Sequence, residues 1–569
     1  MENFLLDNKD ILFHLEHMDM DRLIELREDN FSDKDKFAHA PSDIEDAKDS
    51  YKKILELVGQ ICAEVLEPYA AEVDEEGVKL VDGEVQYAKG TRIALDVLAK
   101  ADLMGFALPR KYGGLNAPTT ILCAAAEMVS RADGSFLNFG LQQDIAETLC
   151  KFGSEEQKSD VLPRLASGEV GSSMILTEPD AGSDLQAVTL KATQGPDGKW
   201  YLNGVKRFIT NGCGEIGLVL ARSEDGSKGA RGLSFFLYER DEHMKIRRLE
   251  NKLGIHGSPT CELQFNNAPA TLVGERRRGL TKYTMWLMNS ARIGIAAQSL
   301  GIAEAAYREA LKYASERIQF DQAIKEFPPV FEMLTEMKVN IEAGRSLMYE
   351  TSKFVDLKEG LEHLVENHPE KSAEAKSDLK KYTRLAALYT PIVKAFNTEM
   401  ANKVTYDAIQ IHGGTGYMRE FNVERHFRDV RITNIYEGTT QLQVVAAIGG
   451  ITSGVAGSII DEYEAEDYTH APELVKMVKK ARNNLDKALV FAKGEENEQF
   501  VTYHSRRLME MTTDIIVSYL LLRDAKHDER KMQIAEIFIH KMFPCVEMKM
   551  NYILQGKSSV LDNHKAIIG

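Results

Sequence analysis

Glu437 is the single carboxylate in the stretch NIYEGTTQLQ (434–443), set between Tyr436 and Gly438 and followed by Thr439, Thr440 and Gln441. A helix surface would not carry this wording, because glycine lowers helix stability and paired threonines do not help it. Four further stretches carry residues with chemical potential. MILTEPDAGSD (174–184) offers Thr177, Ser183 and small residues that suit backbone N–H groups and hydroxyls brought against a phosphate or a polar ring, or else form a turn-rich loop. RFITNG (207–212) offers Phe208 for stacking and Thr210 for hydrogen bonding, and reads equally as a strand ending in a turn. QIHGGTGYMRE (410–420) holds Gly413, Gly414 and Gly416, glycines that permit close backbone approach. It is not a dinucleotide fingerprint, because a helix precedes it and the G-x-G-x-x-G spacing is absent. His412 beside them lacks a second ligand four residues on, which favours a structural histidine over a metal site. ASERIQF (314–320) places Arg317 near the end of a long helix, where a cation complements the dipole and could meet a diphosphate.

The elements that must position these residues follow from periodicity. Residues 1–42 are acidic and irregular, and read as an extension with one short helix. Residues 43–170 are helical: Ile54, Leu55, Val58, Ile61, Cys62 and Val65 fall on one face, with Asp43 or Asp46 as the N-terminal acid. Between 171 and 275, short apolar runs alternate with Gly, Asn and Asp punctuation every 8–12 residues, which predicts a small antiparallel β domain. From 276 to 450 long Ala-, Leu- and Met-rich helices return as a bundle, with the highly charged 355–383 expected as an exposed insertion. GGITSGVAGS then leads into a helical extension over 451–569, where Leu474, Met477, Ala481, Leu485 and Ala488 repeat with helical spacing. The fold class is therefore α+β, mostly α.

The totals exclude several functions. At 569 residues the chain holds more than one core, and a net charge of -17 with no dense Lys/Arg block argues against nucleic acid as a partner. Six scattered cysteines without a C-x-x-C pair fit a reducing compartment and no metal framework. No signal peptide and no apolar run of about 18 residues is evident, so a cytoplasmic protein without membrane contact is expected. G-x-S-x-G, H-E-x-x-H and P-loop motifs are absent from the sequence.

Taken in order, ILTEPDAGSD, GVKRFITNG, KLGIHGSPTCELQF, ARIGIAAQSLGIAEAA, YASERIQF, QIHGGTGYMRE and IYEGTTQLQ closely resemble the acyl-CoA dehydrogenase family, from about 50 to 450. The family fold is a helical domain, a small β domain and a C-terminal four-helix bundle. The additional C-terminal helices resemble those of longer members. The resemblance implies FAD as cofactor, an acyl-CoA as substrate, electron-transfer flavoprotein as electron acceptor, and a homo-oligomer (dimer or tetramer). By motif, Leu176, Thr177, Ser183, Phe208, Thr210, Thr439 and Gln441 would contact FAD. Arg317, Phe320, Gln410, Gly413 and Gly414 would reach its adenosine diphosphate from a neighbouring subunit.

Ser183, Asn289, Arg292 and Gly438 are the implied substrate contacts, with Asn289 where an acid is often found. Glu437 falls on the catalytic base and Arg292 on the arginine that positions its loop; the alternative base position of some members is Ala291 here. The implied reaction removes an α-proton to Glu437 and a β-hydride to the flavin, giving a trans-2-enoyl-CoA. A solvated glutamate, with a pKa of about 4.3, is a poor base, so burial is expected to raise it. An acyl-CoA oxidase using oxygen, and a flavin-binding relative without turnover, are the competing readings. Asp321, Ala323 and Asn116 depart from residues common in the family.

Overall fold

A computed structural model describes residues 3–141, 143–368, 372–497 and 499–569. Residues 1–2 of the expected N-terminal extension and 369–371 of the expected insertion lie outside them.

The N-terminal segment is a packed part of the molecule. It forms α1 (Lys9–His17) and α2 (Asp21–Arg27), and Phe4, Leu5, Ile11, Leu23 and Ile24 are buried in the main core. Its acidic composition concealed this, because part of the acid is itself buried. Asp10 accepts from Arg345 and Lys531, while Glu28 accepts from Arg110 at 2.6 and 3.1 Å and from the Tyr51 hydroxyl at 2.9 Å. Helix α3 (Ile44–Ile61) starts where expected, with the Asp43 carboxylate accepting the Asp46 N–H at 3.0 Å as an N-cap. Helices α4 (Thr119–Ala132) and α5 (Asp144–Phe152) complete the part of this domain that faces the site. A small hairpin, Lys79–Val81 with Glu84–Gln86, turns at Asp82 and Gly83, both at positive φ; the Asp-Gly pair was its signal.

The β domain holds β1 (Ser172–Ile175), β2 (Lys191–Gln194), β3 (Trp200–Thr210), β4 (Ile216–Arg222), β5 (Leu233–Glu239), β6 (Met244–Leu249) and β7 (Thr260–Leu272). The order is β1-β4-β2-β3-β7-β5, with β6 on β7, and β5 also pairs with β4, so the sheet curls back on itself. Most pairings are antiparallel as expected, but β1 runs parallel to β4, a pairing that turn punctuation cannot reveal. The β3/β7 register slips between Lys206 and Ile209, and Phe208 in that slip has φ +61°.

The bundle is built from α6 (Met285–Glu316), α7 (Pro328–Asn367), α8 (Ser372–His412) and α9 (Thr440–Thr452); α6 packs on α8 and α4, and α7 on α8. The stretch expected as an exposed insertion is the continuation of α7 and α8. Val355, Leu357 and Leu361 within it are buried, and Gly360 sits so close to Leu26 of α2 that a Cβ there would meet that side chain at 2.5 Å. After Gly454, in the left-handed region, the chain turns into a short helix, Val455–Glu464, and then runs through α10 (Pro472–Gly494), α11 (Gln499–Asp524) and α12 (Glu529–Leu554), which pack on one another and on the bundle, α11 on α7 and α9 and α12 on α7. Among the described residues no single helix is long and apolar enough to cross a membrane.

Candidate active site

A cavity of about 1080 Å³ lies between the β domain, α4, α5, α6 and the loop before α9. The β domain lines it with Leu176, Thr177, Ser183, Phe208 and Thr210, the bundle with Ala291, Arg292 and Ile295, and the loop with Tyr436, Glu437, Gly438 and Thr439. The structure thus gathers residues from 176 to 439 around one space.

The loop conformation explains its sequence. Glu437 and Gly438 are both left-handed, at φ +52° and +92°, and a Cβ on Gly438 would meet Gln443 Nε2 at 2.7 Å. A non-glycine residue in this region is strained by about 1–2 kcal/mol, so the surroundings must hold Glu437 there. Its carbonyl accepts from Arg292 Nε and Gln443 Nε2, each at 3.4 Å; the Gly438 carbonyl accepts from Lys394 Nζ at 2.7 Å and Gln443 Nε2 at 2.8 Å. Thr439 caps α9 by accepting the Leu442 N–H, and the Thr440 hydroxyl donates to Glu399 at 2.7 Å. With the carbonyls turned to protein donors, the N–H groups of Glu437, Gly438 and Thr439 donate to no acceptor among the described residues. Successive free amides in a turn of this kind suit a developing oxyanion.

Glu437 borders the cavity but is otherwise enclosed by protein. Burial, and secondarily the charge of Asp144, push its carboxyl up to about 7, against the opposing pull of Lys394 and Arg292. A carboxylate with this pKa can accept a proton near neutrality. Tyr436, the residue before Glu437, is anchored by its hydroxyl, whose one hydrogen is shared between the Gln298 amide oxygen and Asn138 Oδ1, the latter at 3.0 Å. On the opposite wall, Lys206 is fully buried and donates to the Leu176 carbonyl at 2.7 Å and to Glu178 at 3.0 Å, which ties the MILTEP and RFITNG stretches together. Phe208, at the β3 slip, has half its surface open and Arg207 packed 4.6 Å over its ring.

The other expected site residues divide. Asn289 is not part of the cavity lining; its amide oxygen accepts from Arg292 Nη1 at 3.0 Å, so its contact is with the arginine rather than with the cavity. Gln441 is exposed on the first turn of α9, outside the lining. Arg317, Phe320, Gln410, Gly413 and Gly414 lie on the exposed surface away from the cavity, with Phe320 at 88% and the adjacent Tyr417 at 81% exposure. Sequence reasoning passed over Lys206, Lys394, Gln443 and Asp144. For Lys394 a signal existed: a lysine inside the apolar run LYTPIVKAF.

The lining fits a large guest with polar edges. Asn138 and Thr284 line the cavity, and their buried Nδ2 and Oγ1 atoms have no hydrogen-bond partner among the described residues, while Thr177, Phe208 and Thr210 share the same lining. These features agree with the comparisons. Family models described as the N-terminal, middle and C-terminal domains of acyl-CoA dehydrogenase match residues 48–169, 173–268 and 278–448, and one described as acyl-CoA dehydrogenase C terminal matches 452–558. The chain belongs to the acyl-CoA dehydrogenase family, a family of FAD-dependent oxidoreductases. It is 34% identical over 468 residues to 3-methylmercaptopropionyl-CoA dehydrogenase of Ruegeria pomeroyi, a match covering 78% of this chain and 75% of that one. The structure of butyryl-CoA dehydrogenase from Megasphaera elsdenii is similar at TM-score 0.60 and 31% identity, over 70% of this chain and 97% of that one. An acyl-CoA dehydrogenase structure from Bacillus anthracis shares the fold over 89% of this chain and 88% of its own, at TM-score 0.75 and 23% identity.

Proposed function

We propose that this protein dehydrogenates a short-chain acyl-CoA to the trans-2-enoyl-CoA, with Glu437 as base, FAD as hydride acceptor and an electron-transfer flavoprotein as the onward acceptor. The observation that carries the reading is the enclosed Glu437 carboxyl, raised to about 7, at the edge of the cavity lined by Phe208, Thr177 and Thr210. Thr177, Thr210, Leu176 and Phe208 would hold the flavin; FAD, when bound, supplies a two-electron acceptor for the β-hydride.

The chain's own residues do the rest. The free amide of Glu437 donates to the thioester oxygen as charge develops there, while the Glu437 carboxylate takes the α-proton. Arg292 fixes the loop through the Glu437 carbonyl, and Ser183 lines the channel suited to the pantetheine arm. Asn138, Gln143, Asp144 and Glu147 share the cavity wall with Leu122, Leu137 and Leu141. A wall with carboxyl and amide groups is a poor host for a long alkyl chain, because their desolvation against hydrocarbon is unfavourable. The exposed Arg317, Phe320, Gln410, Gly413 and Gly414 would complete the adenosine end of FAD from a second subunit.

The test is anaerobic titration of the yellow protein with acyl-CoAs from butyryl to palmitoyl. Butyryl-CoA is expected to bleach the flavin fastest, and Glu437→Gln to retain FAD and bind butyryl-CoA without bleaching. Bleaching by that variant near the wild-type rate removes Glu437 as base. Fastest bleaching by palmitoyl-CoA removes the short-chain assignment, and rapid reoxidation in air identifies oxygen as the acceptor instead of a flavoprotein.

A further inference from the structure

Lys394 lies in the middle of α8 with no exposed surface, flanked by the buried Ile392, Val393 and Ala395. A buried ammonium is costly unless it is paired, and methionine would fill the same volume without that cost. Yet among the described residues Lys394 has no carboxylate at ion-pair distance. Its ammonium donates to the Gly438 carbonyl, 2.7 Å away, on the residue after the proposed base. The charged groups that act on Lys394 are Glu437, Arg292 and Glu399; those that act on Glu437 are Asp144, Lys394 and Arg292. Glu399 is engaged elsewhere, accepting from the Thr440 hydroxyl at 2.7 Å and lying 3.7 Å from Arg506.

We propose that Lys394 is a positioning residue of the dehydrogenation site: it pins the Gly438 carbonyl, so that Glu437 keeps its left-handed conformation, and places a positive charge behind the base. The inference rests on Glu437 being that base. Two donors share the Gly438 carbonyl, Lys394 and Gln443, but only the lysine carries charge. The geometric and electrostatic parts therefore separate by mutation. Burial pushes Lys394 down to about 7, the range into which Glu437 is raised, so the wild-type pH profile belongs to the pair and not to either group.

Four variants test this: Lys394→Met, Lys394→Gln, Gln443→Leu and Glu437→Gln. Each is purified with FAD and assayed with butyryl-CoA from pH 5.5 to 9. Lys394→Met is expected to lower kcat on the order of 10²-fold with little change in KM, because the loop and its base lose their position. Loss of the positive charge also raises the carboxyl pKa, so its acid limb in kcat/KM moves up by about one pH unit. Lys394→Gln, which retains a donor, is expected to recover part of kcat but keep the shifted limb. Gln443→Leu is expected to lose kcat without shifting the limb. If Lys394→Met and Lys394→Gln keep the wild-type limb and kcat and merely melt earlier, Lys394 is structural and the proposal falls. If Lys394→Met does not fold, the limb of Lys394→Gln decides alone. An active Glu437→Gln would instead overturn the base assignment on which the inference rests.

Discussion

Asp144 and Glu437 border the same cavity, and the charge of the first makes ionisation of the second harder. Asp144→Asn removes that opposition, so the Glu437 carboxyl should titrate at lower pH. The expected result is an acid limb of kcat/KM displaced downward by about half a pH unit or more, read from a pH series with butyryl-CoA. An unmoved limb would mean that Asp144 does not act on the base. Glu437 was legible in the sequence because Tyr-Glu-Gly-Thr is a compact pattern. Asp144 was not, since LQQDIAET reads as an ordinary helix start and only the packing of α5 against α6 brings the carboxylate to the cavity. Lys394 stood out only as a lysine in an apolar run and Gln443 not at all: both act on backbone carbonyls, and nothing in a sequence marks which carbonyl a side chain will meet.

Among the elements, the N-terminal segment departs furthest from its reading. Burial alone would raise the Asp10 carboxyl, but Lys531 and Arg345 hold it well below the usual carboxylate range. A carboxylate depressed in this way stabilises the fold at every pH above its unfolded pKa, near 3.9, and that contribution disappears as pH falls through the folded value. Asp10→Ala leaves Arg345 and Lys531 without one of their partners, and should cost about 3–5 kcal/mol at pH 7. Urea unfolding at pH 7 and again near pH 3 checks this, and the difference between variant and wild type should shrink at the lower pH. The extended ends of α7 and α8 teach a related lesson. Their charges were read as solvent-facing, but Asp356 among them is buried and accepts from the Thr119 and Thr120 N–H groups, and Gly360, between the buried Leu357 and Leu361, sits against Leu26, more than 300 residues away in sequence. Periodicity shows that a face is apolar, not what covers it.

At the scale of the molecule, the C-terminal helices are bound to the bundle by polar as well as apolar contacts. Glu350 accepts from Arg523 at 2.7 Å and Tyr463 at 2.8 Å, and Glu342 from Arg530 at 2.8 Å. The composition of the extension predicted helices, but its docking depends on these buried acids of α7, which read as surface charge in isolation. Elsewhere on the bundle, Phe320 and Tyr417 are large aromatics open to solvent, close in sequence to the exposed Arg317, Gly413 and Gly414. Phe320→Asp should therefore weaken subunit association and FAD retention together, measured as a smaller species and a lower flavin-to-protein ratio on size-exclusion chromatography. A variant that keeps its size and its flavin would remove this face from the proposed interface.

The left-handed pair Glu437–Gly438 has a consequence for engineering. Glycine and asparagine tolerate that region better than glutamate does, and a carboxyl whose pKa is raised by burial also opposes folding above its unfolded pKa. Both terms favour replacing Glu437. A library randomised at this codon and screened for heat tolerance alone would enrich neutral, turn-forming residues and discard the proposed base, so thermostability screens of this protein need a turnover readout alongside them.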